Sequence, residues 1–315
     1  MARFILGRLG QLVLVLLIVS FLTLLMLHVL PEDPAYAILG QNATPEQVAS
    51  IHRQLGTDQP FLVQYLEWLK RLATGDLGTS LRTHESVVDA LSTRLPVSVE
   101  LAILAEIMAL AFAVPAGVFA ASRPGGRFDR AVSAASSTMV AVPGFVLALL
   151  LVYLLAYRWP IFPATGWVSF TVDPLENLRY ALLPAASLAA VEAAVFTRVL
   201  RSDMYDTLRE NFILAARAQG LLRRSVLWRS AFKPSSMSLV TLAGVSLGRL
   251  VGGTVLAEII FALPGAGQLL VQSIYANDIV MVQGVVMVLL TAVVLLNLLV
   301  DLLYHVIDPR VRQVA

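Results

Sequence analysis

Six long, sparsely charged apolar runs restrict this chain more than any other feature. They lie near Leu9–Leu30, Val97–Ala121, Ala131–Tyr157, Tyr180–Leu200, Ser236–Leu263 and Val280–Ile307. Each reaches the roughly 20 residues an α-helix needs to cross the hydrocarbon of a bilayer. Of the 315 residues, 58% are hydrophobic and 14% charged, with a mean hydropathy of +0.78. A soluble domain has about a quarter of its residues charged, so lipid is the solvent this composition calls for. Inside lipid only helices and closed barrels satisfy every backbone polar group. The runs are continuous rather than alternating, which selects helices. The expected fold is all-α integral membrane with six transmembrane helices.

The first run resembles a secretory signal, with Arg3 and Arg8 before it and Ala35-Tyr36-Ala37 after it. Signal cores run about 7–15 residues; this one is longer, so it is expected to remain as a span. Arginine and lysine set the orientation, because cytoplasmic loops collect them. With the N-terminus inside, the inner segments hold fifteen and the outer segments seven. Both termini are therefore expected in the cytoplasm. The divisions are 1–30 (N-terminus and first span), 31–96 (an extracytoplasmic insertion) and 97–315 (the remaining spans).

Two connections are long enough to fold. In Pro31–Pro96, eight carboxylates face five bases. Thr44-Pro45-Glu46-Gln47 carries the signals of a helix start, and Gly56 can end that helix. A second helix is expected from Phe61 through Leu62, Tyr65, Leu66, Leu69 and Leu72, the apolar positions forming one face. The segment serves either as a lid or as a docking face for an external partner. The inner loop, about 201–233, holds eight bases counted from Arg198 to Lys233. Asp206–Arg217 is predicted helical with Leu208, Phe212, Ala215 and Ala216 on one side, Gly220 as the break and Leu221–Phe232 as a second short helix. Such a loop fits an element adsorbed on anionic lipid or a peg set in a partner's groove.

No phosphate-binding G-x-x-x-x-G-K-[ST] occurs, so any ATP and magnesium belong to another chain. There are no cysteines, and the four histidines lack metal-ligand spacing; no bound cofactor or metal is expected. Nothing points to nucleic acid. Gly244-Val245-Ser246-Leu247-Gly248 matches the nucleophile-elbow pattern G-x-S-x-G, which with His305 would suggest a membrane protease. Ser246 lies about ten residues, roughly 15 Å, deeper than the end of its helix, whereas His305 sits near the surface. Gly244, Gly248 and Gly252 recur every four residues and are expected to pack helices instead. Arg249, Glu106 and Glu192 fall within spans, where ionisable groups mark a path or an ion pair; Arg249 is expected inside the bundle, on the path or paired with Glu106. Glu100 and Glu258 are placed near the outer ends, within reach of water.

Glu210-Asn211-Phe212-Ile213-Leu214-Ala215-Ala216-Arg217-Ala218-Gln219-Gly220 resembles the EAA loop of binding-protein-dependent ABC importers. GDLGTS at Gly75–Ser80, TRLPVSVELA at Thr93–Ala102, AEIIFALPGAGQLL at Ala257–Leu270, VQGVV at Val282–Val286 and NLLVDLLYHVIDPRVR at Asn297–Arg312 are similar to patterns of the first permease subunit in the dipeptide/oligopeptide/nickel family. The resemblance implies the type I importer permease fold in a bacterial cytoplasmic membrane. It also implies a second permease subunit, two cytoplasmic ATP-binding subunits, an external substrate-binding protein and a peptide cargo, with nickel or another small solute as the alternative. A channel working alone, the reading from another class, would not need the peg. By the same resemblance Glu210, Phe212, Ala215, Ala216, Gly220 and Leu221 couple the spans to the ATPase. Family members usually carry tyrosine at Phe212, lysine at Gln219 and histidine at Ser230, and loss of the last two removes polar contacts.

Overall fold

The computed structural model describes residues 2–29, 34–40 and 43–307. The basic tail positions Arg310 and Arg312, and the side chains of Asp301 and His305, lie outside what it describes. The chain forms two compact units, one holding residues up to Val97 with Pro264–Leu295, the other Ser98–Leu263 with the segment from Leu296.

In the first unit α1 (Ala2–Val29) is followed by α2 (Pro34–Leu39), α3 (Pro45–Leu55) and α4 (Phe61–Ala73). Ala35-Tyr36-Ala37 lies within α2, with Ala35 fully buried. Local chemistry sets the limits of α3. The Thr44 hydroxyl accepts from the Gln47 N–H, Gln47 Oε1 accepts from the Thr44 N–H at 2.9 Å, and Gly56 closes the helix at φ 70°. α4 lies on α1: Tyr65 Oη donates to Leu17 O at 2.9 Å, and Phe21 meets Phe61 and Tyr65 edge-on. The face α4 buries contains Gln64 and Trp68. Leu62 and Leu66, expected on one apolar face with Tyr65, Leu69 and Leu72, are each 64% exposed. Gln64 is satisfied by donating to Gln59 O at 2.7 Å, so a polar side chain takes the inner position.

The Gly75–Ser80 stretch is a folding device of this unit. Asp76 accepts from the Gly78 N–H, and Ser80 Oγ donates to Asp278 Oδ2 while accepting from the Arg82 and Thr83 N–H groups. Arg82 then donates to Ala276 O. Ala276 directly follows α12 (Ala266–Tyr275), a helix between the fifth and sixth apolar runs. The unit's core joins Val87, Ala90 and Leu91 of α5 (Val87–Ser122), Ala266 and Leu269 of α12, and Met281 and Val285 of α13 (Ile279–Ile307). α5 starts ten residues before the expected span and continues through Pro96, since a proline forfeits a single intrahelical bond that neighbours can offset.

The second unit contains the rest of α5, α6 (Arg127–Ala141), α7 (Gly144–Leu151) with a π-wound extension Val152–Arg158, α8 (Pro174–Thr207), α9 (Asn211–Ala218), α10 (Arg223–Ser225) and α11 (Phe232–Ile260). Its core sets alanines of α5 (Ala102, Ala105, Ala109 and Ala113) against Phe196, Leu200 and Met204 of α8. Small residues at this spacing let helix axes approach closely. Asp173 caps α8 by accepting from the Leu175 and Glu176 N–H groups, and Pro174 occupies the first turn.

Among the described residues, length and apolarity qualify four helices to cross a membrane: Val87–Ser122, Pro174–Thr207, Arg223–Ile260 and Ile279–Val300. The expected third span is a pair, α6 and α7, bent by 105°. Val142 is extended ahead of Pro143, as the residue before a proline prefers, and the missing N–H ends the hydrogen-bond ladder. Counting that pair as one span gives five among the described residues, where the apolar part of α1 is Gly10–Leu25.

Candidate coupling and translocation sites

The expected helix Asp206–Arg217 is divided. α8 ends at Thr207, a turn follows in which Glu210 N donates to Thr207 O, and α9 begins at Asn211. Ile213 is fully buried in the core with Val226, Leu227 and Ala231. The apolar side that carries Phe212 and Ala215 looks outward: Phe212 is 49% exposed, and Leu214, Ala215 and Leu221 are exposed with it. Glu210 is exposed at the N-cap of α9, and Ala216 is partly exposed. Gly220 sits at φ 80° with open space where a Cβ would be, so the backbone angle, not crowding, calls for glycine. Beyond it no separate second helix forms. From Arg223 the chain winds through a π segment, Val226–Ala231, directly into α11.

An ion pair unnoticed in the sequence holds the base of this region. Asp129, 3% exposed, receives both Arg201 Nε and Nη2 and the Gly125 N–H. Its one sequence signal is isolation: no other carboxylate lies between Glu106 and Asp173.

Higher on the same helices, the charged groups pair differently than expected. Arg249 meets Glu192 at 3.1 Å, not Glu106, and its side chain is 56% exposed in the single chain. The two border an apolar crevice of about 210 Å³ between α7, α8 and α11. Glu106 is 6% exposed and accepts from Ser246 Oγ at 2.8 Å. Ser246 is thus engaged with a carboxylate rather than placed as a nucleophile. Glu258, expected within reach of water, is fully buried and accepts from Ser98 Oγ at 2.6 Å. Asn297 Oδ1 lies 2.7 Å from the Cβ position of Gly248, and Val300 closes on Gly244. Gly252 has nothing within 4 Å, so close packing involves two of the three expected glycines. Among the described residues no cluster of three or more histidine or acidic side chains could hold a metal.

Long apolar helices, a broken helix pair and the Glu192–Arg249 ion pair between such helices define an all-α, multi-pass membrane protein. The chain belongs to the family of binding-protein-dependent transport system inner membrane components, whose profile matches residues 113–313, with the family's N-terminal profile on residues 1–102. It is 41% identical over 312 residues to a Brucella abortus (strain 2308) permease named for a peptide transport system, covering 99% of both chains. It is 33% identical over 337 residues to the dipeptide transport system permease DppB of Escherichia coli (strain K12), again 99% of each. The inward-facing MetNI methionine ABC transporter shares its fold: TM-score 0.58 at 17% identity, covering 70% of this chain and 96% of that one.

Proposed function

We propose that this chain is a permease subunit of an ABC importer that carries di- or oligopeptides into the cytoplasm by alternating access. It would work with a second permease, two ATP-binding subunits and an external substrate-binding protein. In this reading α1 is the first of six spans, both termini are cytoplasmic, and 31–96 lies outside. Similarity to peptide permeases along the whole chain supports the cargo. The observation that carries the coupling role is α9, a short helix anchored by buried Ile213 while Phe212 and Leu214, and Leu221 just beyond the helix, face outward. An apolar surface of this kind suits insertion into a partner's groove. The Glu192–Arg249 crevice is the candidate stretch of the path.

The test is recovery of the ATP-binding subunits with the permease. Gly220→Val forces a β-branched residue to φ 80°, and Ala216→Glu places a charge on the docking face. Both are expected to leave permease abundance in the membrane unchanged while ATPase recovery and uptake are lost. A fully active Gly220→Val transporter would refute the peg.

A further inference from the structure

Two cavities in the second unit lie along the same two helices, α5 and α6, with no lining residue in common. On α5, Met108, Phe112 and Ala116 line the first, of about 390 Å³, while Phe119 and Arg123 line the second, of about 750 Å³. Steps of three and four residues place all five on one helical stripe. On α6, Phe128 belongs to the second cavity and Val132, Ala135 and Met139 to the first, again a single stripe. α5 and α6 leave the same turn at Arg123–Gly126, so the stripes run side by side from that turn into the apolar bundle. Alanines of α8, among them Ala186, Ala190 and Ala193, form the floor of the first cavity. Small side chains beneath bulkier walls keep it open.

The two ends differ in chemistry. The second cavity gathers Arg123, Arg223 and Arg224, and no carboxylate lines it. Arg223 gives one donor to Ser122 O at 2.8 Å. Among the described residues no acid pairs with any of the three; the nearby Asp129 is taken by Arg201. Trp228 lies edge-on to Phe119, centroids 6.4 Å apart, beside the arginines, and such aromatics favour the headgroup level of a membrane. Fifteen residues of helix separate Met108 from Arg123, about 22 Å at 1.5 Å per residue. One leaflet's hydrocarbon is about 15 Å deep.

We infer that this crevice binds an anionic phospholipid, its phosphodiester held by Arg123, Arg223 and Arg224 and one acyl chain laid between α5 and α6 on the alanine floor. Unpaired positive charge in one cavity and an apolar cavity further along the same two helices match such an amphiphile. A protein segment would need its own negative charge at the end of a long apolar stretch. The inference rests on the membrane reading of α5 and α6 and on nothing about cargo.

The experiment uses the intact transporter, purified and stripped of lipid, then titrated with phosphatidylglycerol or phosphatidylcholine and read by native mass spectrometry. Phosphatidylglycerol is expected to be retained at least tenfold more strongly. Neutralising a basic residue near a lipid surface costs about fivefold, so Arg123→Gln/Arg224→Gln should weaken retention by more than tenfold. Ala190→Phe, which fills the floor without touching charge, should also displace the lipid. Equal retention of phosphatidylcholine, or retention unchanged in the arginine variant, would overturn the site. Displacement by inorganic phosphate alone would reduce it to a free-anion pocket, and a photoreactive residue at Phe112 that captures the second permease would hand the crevice to that subunit; either result overturns the lipid. Carbonate extraction of the same membranes tests the underlying reading separately: release of the chain refutes the membrane assignment, whereas an embedded chain without lipid selectivity refutes this proposal alone.

Discussion

Asp129 shows how much one carboxylate can fix. It receives two donors from Arg201 of α8 and one from the Gly125 N–H in the α5–α6 turn, tying that turn to a distant helix. Removing one partner of a fully buried pair costs about 3–5 kcal/mol. The Arg201 side chain keeps 31% exposure, so Asp129→Ala is expected to cost less, about 2 kcal/mol. Thermal unfolding of the purified permease checks this, and Asp129→Asn/Arg201→Gln should recover part of the loss; equal destabilisation by the single and double variants would remove the pair from the account. Sequence spacing could not reveal this contact, because 72 positions separate the partners and only tertiary packing brings them together. The same holds for Arg249, whose partner is Glu192 rather than Glu106.

Elements governed by local chemistry were readable, and those governed by packing were not. Thr44, Pro45 and Gly56 delimit α3 in the sequence as in the structure, because caps act within four residues of themselves. The long apolar helices α8, α11 and α13 follow from hydropathy for the same reason. α12 escaped notice because its three turns adjoin a far longer apolar run and merged with the connection. The bend at Pro143-Gly144 was masked by hydropathy averaged over a whole span. In the 201–233 loop, Gly220 is a break in the structure as in the sequence, and the one buried residue of α9 is Ile213, held from below by Val226 and Leu227, which spacing within the loop alone could not single out. The insertion invites a test at this scale. Leu62 and Leu66 remain exposed on α4, an apolar edge available to a partner. Deleting residues 44–72 is expected to abolish uptake while the ATP-binding subunits still co-purify; normal transport by the deletion would show the segment to be dispensable.

For the whole molecule, the proposed arrangement makes a topological claim that the absence of cysteine renders easy to test. A single cysteine at Gln47 is expected to react with a membrane-impermeant maleimide applied from outside, and one at Gln219 only after permeabilisation. The reverse pattern would invert the orientation and remove α9 from the cytoplasm. If the orientation holds, the winding between α9 and α11 acquires a mechanical meaning. A π turn amounts to an α turn with one residue inserted, and Val226–Ala231 places such a turn where the loop becomes the long helix. Each residue of α winding turns the chain by about 100°. Taking up or releasing that one residue would swing α9 about the α11 axis through an angle of this order, with little lengthening. In the proposed arrangement such a joint would turn a push on a short surface helix into rotation of a buried one.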